Sequence, residues 1–312
     1  MYFLMSFTAL LATWGFLIWF IYRSVKSVKD FVEGADYNGV HLTRWDILSG
    51  LVAGEFTVVY QPQYSLVSGD ITGIEALARW KRTDGTFVSP VDFIHLAEKV
   101  GVISNVGHYV MRSSFLDYKK FNFDGLILSV NVSLMELEGE GYIDCLDSLL
   151  LETDFNPHYL KLEVTENKAY TSRTKVEDVV KDIRSRGISI VVDDFGTGVS
   201  THDKLSISGV SGMKIDKSFV MGLDTLPHNK ILVEHMVSLG KKLNMSIVAE
   251  GVETYEHLSF MATLGVDAIQ GYYIARPMAV GSLSDWLNET DRGRLLLNLD
   301  DVYNRKVIAK TF

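Results

Sequence analysis

The chain is poor in cysteine: its 312 residues contain one, Cys145, so no intrachain disulfide forms and a reducing compartment fits. It lacks an excess of basic residues, with 30 Lys and Arg against 39 Asp and Glu and a formal net charge of -9. That balance argues against electrostatic binding of nucleic acid polymers. It leaves open a phosphorylated small molecule bound through metal ions. The eight histidines are scattered, and no His/Cys spacing points to zinc. There is no internal repeat and no low-complexity segment.

Charge is also missing from Met1 to Tyr22, MYFLMSFTALLATWGFLIWFIY. Twenty-two such residues are enough to span a bilayer core. Trp14, Trp19 and Tyr22 suit the interface at one end, and there is neither a basic n-region nor a small-x-small cleavage site. The expectation is a transmembrane helix over 1–22. Arg23, Lys26 and Lys29 follow it, which predicts a cytoplasmic C-terminal bulk on the inner membrane, joined through a linker over 23–46.

What is present from about residue 55 is alternation. Short apolar runs recur at TVVYQ (57–61), ITGIEAL (71–77), LILSVNV (126–132), LKLEVTE (160–166), ISIVVDD (188–194), GMKID (212–216), MSIVAEG (245–251) and AIQGYY (268–273). Helical patterns separate most of them. One opens at Ser89-Pro90, a cap with proline at the first helical position; others cover 174–187, 229–244 and 254–265. Eight strands with intervening helices predict an α/β fold, a (β/α)8 barrel. Only residues 62–70 join the first two strands, too few for a helix, so a hairpin and one antiparallel strand are expected there.

Each strand carries a polar residue at or near its end, where such a barrel keeps its active site: Gln61, Glu75, Asn131, Glu163, Asp193 with Asp194, Lys214, Glu250 and Gln270. Five carboxylates on one rim repel one another, and hard divalent cations, Mg²⁺ or Mn²⁺, relieve that repulsion through oxygen ligands. The adjacent Asp193 and Asp194 pose a question, because neighbouring side chains on a strand point to opposite faces. Both serve one site only if the strand ends there and turns, as Gly196 and Gly198 allow. They then ligate two different ions, or one of them bridges both, an arrangement suited to in-line displacement at phosphorus. Lys214 shares a strand face with Asp216 and either handles the attacking water or offsets phosphate charge. Arg79 is placed to meet a phosphate oxygen. Spacing alone also admits another metal-dependent barrel reaction, such as that of an enolising enzyme.

These residues carry a resemblance. Glu75-Ala76-Leu77 lies within GIEALARW, after YQP (60–62), and is followed in order by SPVDFIHLAEKVGVI (89–103), SVNVS (129–133), LKLEVTEN (160–167), VVDDFGTG (191–198), MKIDKSFV (213–220), IVAEGVET (247–254) and QGYYIARPM (270–278). The set resembles the EAL-domain family of bacterial cyclic di-GMP phosphodiesterases, over roughly residues 47–288.

The resemblance implies a barrel with one antiparallel strand and hydrolysis of cyclic di-GMP to linear pGpG with Mg²⁺ or Mn²⁺. It implies metal ligands at Glu75, Asn131, Glu163, Asp193, Asp194 and Glu250, and Lys214 acting on the nucleophilic water as base or positioner, with Gln270 beside it. Gln61, Leu77 and Arg79 would meet the nucleotide. Glu166 would brace the loop after DDFGTG, Asp216 would lie in the second tier, and the chain would act as a homodimer. The chain departs from the family pattern at Val199, where an aromatic residue is usual, within Val199-Ser200-Thr201-His202-Asp203. The expectation is therefore an active phosphodiesterase lowering the second messenger, against the alternative of a catalytically weak EAL domain that senses cyclic di-GMP or binds a protein. The extension 289–312 receives no function, and no regulatory signal is legible.

Overall fold

The structure is a computed structural model and describes residues 34–37, 40–165, 172–197 and 209–289. The expected membrane segment, Glu166, the 199–203 loop and the C-terminal extension after Glu289 lie outside the described residues. Among the described residues no helix is long and apolar enough to cross a membrane.

In chain order the elements are β1 (Gly34–Tyr37), β2 (Val40–Thr43), α1 (Arg44–Ala53), β3 (Phe56–Ser65), β4 (Ile71–Lys81), β5 (Phe87–Val88), α2 (Pro90–Lys99) and α3 (Ile103–Lys120). There follow β6 (Ile127–Val132), α4 (Leu134–Leu137), α5 (Tyr142–Thr153), β7 (Leu160–Thr165), α6 (Arg173–Ser185) and β8 (Ser189–Phe195). The last are β9 (Gly212–Ile215), α7 (Lys217–Met221), α8 (Pro227–Lys242), β10 (Ser246–Ala249), α9 (Tyr255–Leu264), β11 (Ala268–Ile269), β12 (Met278–Ala279) and α10 (Val280–Glu289).

The chain divides into two compact units. The first takes its residues up to Phe56 together with Trp80–Val106. Within it β1 and β2 form an antiparallel hairpin, and Thr43 closes a capping box with Asp46 at the start of α1. Phe56 stacks on Trp80 with ring centroids 4.8 Å apart, and Phe93 meets both edge-on. The Trp80 indole donates to Glu55 Oε2 at 2.8 Å, so the polar edge of this aromatic cluster is satisfied.

The second unit, Thr57–Arg79 with the chain from Gly107 onward, is the barrel. Its strands follow the order β3-β4-β6-β7-β8-β9-β10-β11, and the pairings of β3 with both β4 and β11 close the ring. The strands from β4 through β6, β7, β8, β9, β10 and β11 pair in parallel, whereas β3 runs antiparallel to β11. The eight expected strands and the antiparallel one are all present. Alternation sorts their side chains. In β7, Leu160, Leu162 and Val164 are buried on the outer face, while Lys161 and Glu163 point inward. The helices close over that apolar outer face: α6 lies on β8, and α8 on β9 and β10.

Three strand ends differ from the expectation by four residues each. β3 runs on through Pro62 to Ser65, and β4 on to Lys81, because each finds a pairing partner along its length. Gln61 and Glu75 therefore sit mid-strand. β11 stops at Ile269 rather than at 273. Gly271 explains the stop: a Cβ there would collide with the backbone of Val252, so the chain turns tightly against that residue.

Candidate active site

Lys214 lies at the centre. It projects from β9 with no solvent exposure. Its Nζ is 2.5 Å from Glu163 Oε2 on β7, 2.6 Å from Glu250 Oε1 after β10, and 3.2 Å from both Glu75 Oε2 on β4 and Asp193 Oδ1 on β8. Burial alone would lower the pKa of this ammonium. The surrounding Asp193, Glu163, Glu250 and Glu75 overcome that and hold it well above the usual lysine value. The sequence reading left the repulsion among the carboxylates to metal ions. In the folded chain Lys214 answers part of it.

One cation cannot satisfy so many anions. Burial pushes Glu163 up to about 7 and Asp193 up to about 6, against the pull of Lys214 in each case. Burial raises Glu250 well above the usual carboxylate range, and burial with the Asp216 charge raises Asp194. Glu75 is the exception. Burial pushes it up too, but Lys214, Gln270 and Asn131 together bring it below its ordinary value. Asn131 Nδ2 donates to Glu75 Oε1 at 2.7 Å and Gln270 Nε2 to Glu75 Oε2 at 2.6 Å.

The paired aspartates serve one site because the backbone makes room for both. Asp194 adopts φ 53, in the left-handed region, and the β8–β9 register breaks between Val192 and Phe195. This irregularity cancels the alternation that would send the two side chains to opposite faces. The Asp194 N–H donates to Asp193 Oδ1 at 2.9 Å.

Two oxygen-only groups result, Glu75 with Glu163 and Asp193, and Asp193 with Asp194 and Glu250. Within each group the ligand oxygens lie within 4.8 Å of one another, and Asp193 belongs to both. Carboxylates without His or Cys suit hard divalent cations, so the residues present fit Mg²⁺ or Mn²⁺.

Of the remaining expected residues, Gln270 and Asp216 adjoin this cluster and Gln61 joins it through Gln270. Gln270 Nε2 also donates to Gln61 Oε1 at 3.0 Å, and Gln61 Nε2 to the Ala275 carbonyl at 3.0 Å. Leu77 and Arg79 follow Glu75 at alternate positions of β4, both half-buried. Burial lowers the Arg79 pKa, and the charges acting on it are Tyr272 and Glu75. Asp216 caps α7, accepting from the Ser218 N–H at 2.9 Å, and its carboxylate abuts Asp194.

Gln63 is the residue that sequence reasoning missed. It is buried, and its Nε2 donates to Gln270 Oε1 at 2.9 Å, fixing which way the Gln270 amide faces Glu75. The sequence expectation ended this strand at Gln61, and only its continuation to Ser65 puts Gln63 on the same face as Gln61.

The EAL domain family matches residues 45–277. The chain is 34% identical over 234 residues to the cyclic di-GMP phosphodiesterase PA2567 of Pseudomonas aeruginosa, covering 74% of this chain and 40% of that protein. It is 32% identical over 241 residues to the bifunctional diguanylate cyclase/cyclic di-GMP phosphodiesterase MucR of the same organism, covering 76% of this chain and 35% of that one. The solved cyclic di-GMP complex of the PaMucR phosphodiesterase superimposes with a TM-score of 0.72 at 31% identity, covering 77% of this chain and 98% of that chain. The chain thus spans 40% or less of the length of these two curated relatives. With the family matched over residues 45–277, most of its length, the chain belongs to the EAL domain family.

Proposed function

We propose that this chain is a membrane-tethered phosphodiesterase that hydrolyses cyclic di-GMP to linear pGpG in a site loaded with two divalent ions. The observation that carries the reading is the sharing of Asp193 between two groups of carboxylates. Glu75, Asn131, Glu163 and Asp193 would hold one ion, and Asp193, Asp194 and Glu250 the other. Bound there, such ions acidify water and neutralise charge on phosphoryl oxygens.

The chain's own residues do the rest. Lys214, which reaches Glu75, Glu163, Asp193 and Glu250 from the centre of the site, acts on the attacking water as base or positioner. Gln270 keeps Glu75 in place, while Gln61, Leu77 and Arg79 bind the nucleotide. Arg79 offers its fork to a phosphate oxygen. Residues 1–22 anchor the chain in the inner membrane with the barrel in the cytoplasm, and two copies act as a dimer.

The test is turnover of cyclic di-GMP by the purified full chain with Mg²⁺, with Mn²⁺ and with EDTA. Metal-dependent release of pGpG is expected. Tight binding without turnover would replace this reading with that of a cyclic di-GMP sensor. Deleting residues 1–22 is expected to move the protein from the membrane to the soluble fraction, and continued sedimentation with membranes would rule out that anchor.

A further inference from the structure

Below the carboxylates the inner wall of the barrel holds a second lysine. β6 and β7 are in register with Ser129 opposite Lys161 and Asn131 opposite Glu163. Ser129 and Asn131 share a face, as do Lys161 and Glu163, so Ser129 and Lys161 form the layer directly beneath Asn131 and Glu163. Lys161 is half-buried on that inner face by the alternation of β7, and the charges that act on it are Glu163, Lys214 and Glu75. It makes no hydrogen bond or ion pair with any described residue.

Two other polar atoms in this place are without partners. Ser129 Oγ and Glu163 Oε1 are buried and make no hydrogen bond, and neither residue has any solvent exposure. An ammonium is a triple donor, a hydroxyl both donates and accepts, and a carboxylate oxygen accepts. Such a set matches one buried water with three polar partners.

We propose that Lys161, with Ser129, is a positioning residue for Glu163, its ammonium reaching Glu163 Oε1 through a water that Ser129 Oγ also bonds. Glu163 Oε2 is held from above by Lys214 alone. Once Lys214 turns toward the attacking oxygen, the hold from below is what keeps Glu163 aimed at its ion. The inference rests on the metal-dependent reading for what Glu163 does, and on register and burial for where Lys161 lies.

The experiment follows the melting temperature of the full chain against Mg²⁺ concentration, without substrate, in Lys161→Met, Lys161→Arg and Ser129→Ala. Turnover of cyclic di-GMP is measured in parallel. For Lys161→Met the Mg²⁺ midpoint is expected to rise and kcat to fall, each by about tenfold, with KM for cyclic di-GMP nearly unchanged. Lys161→Arg, which keeps the charge and the donors, is expected to restore both, and Ser129→Ala to shift the midpoint less, in the same direction. A purely electrostatic role predicts the opposite sign, because removing a cation tightens Mg²⁺ binding. A Lys161→Met midpoint at or below that of the unmodified chain overturns the proposal. If that variant does not fold, an unchanged midpoint in Ser129→Ala overturns it instead. A failure of the metal reading itself is recognised separately, as an unmodified chain whose melting ignores both Mg²⁺ and Mn²⁺, and takes this proposal with it.

Discussion

Two arcs of the same rim are buried and polar, and they are satisfied by opposite means. On one arc Gln63, Gln270 and Gln61 pass hydrogen bonds in sequence to the Ala275 carbonyl, each amide neutral and each partnered. On the other, Glu163, Asp193 and Glu250 share a single ammonium, that of Lys214. Glu75 stands where the arcs meet and draws donors from both. The consequence is visible in their acidities. Glu75 is held below its ordinary pKa, while Glu163, Asp193 and Glu250 are raised. A buried carboxylate with enough donors keeps its charge. One that shares a single cation gives the charge up unless further cations arrive. The amide arc is complete as folded, and the acidic arc is built for ions.

Breaking the junction has the largest expected effect. Glu75→Ala removes a carboxylate from one of the two proposed metal sites, and turnover of cyclic di-GMP should become undetectable; near-normal turnover would refute the assignment. Lys214→Ala should lower kcat by about 10³-fold, with a smaller change in cyclic di-GMP affinity measured by calorimetry. A loss confined to affinity would argue against a part in the chemical step. Next comes the link between the arcs. Gln270→Leu leaves the carboxylates in place but takes one of three donors from Glu75, and should cost about 10- to 100-fold in kcat. Gln63→Leu lies one step further out. Its main cost should be stability, about 1–3 kcal/mol by chemical denaturation, because the Gln270 carbonyl is left buried and unpaired.

The smallest effect sharpens the comparison by pH. Groups whose pKa is raised on folding bind protons more tightly in the folded chain, so they stabilise it at low pH and lose that contribution as pH rises. With Glu163 at about 7 and Asp193 at about 6, the EDTA-treated chain should melt at a higher temperature at pH 6 than at pH 8. Saturating Mg²⁺ should flatten or reverse that slope, because it binds the ionised forms. An EDTA-treated chain with a flat profile over this window would mean that the acidic arc is not held as described.

Much of this was legible before folding. The eight strands follow from period-two alternation and short apolar runs, and the antiparallel first strand from the brevity of residues 62–70. Strand ends were less legible, because they depend on partners: β3 and β4 are prolonged by the strands beside them, and β11 is cut short by the approach of Gly271 to Val252. Gln63 was passed over because a glutamine between proline and tyrosine carries no chemical signature until Gln270, 207 positions away in sequence, comes within hydrogen-bonding distance.

The sequence by itself determined the succession of strands and helices and the polar residue that each strand carries, since period-two alternation is a local property of the chain. Only the tertiary structure decided how those polar residues are held. That Lys214 sits among Glu75, Glu163, Asp193 and Glu250 depends on four other strands closing around β9. That Asp193 and Asp194 face one site depends on a left-handed residue at a break in register. Composition and spacing place charges on a strand; their pKa values are set by burial and by neighbours from distant parts of the chain, and these exist only once the barrel has closed.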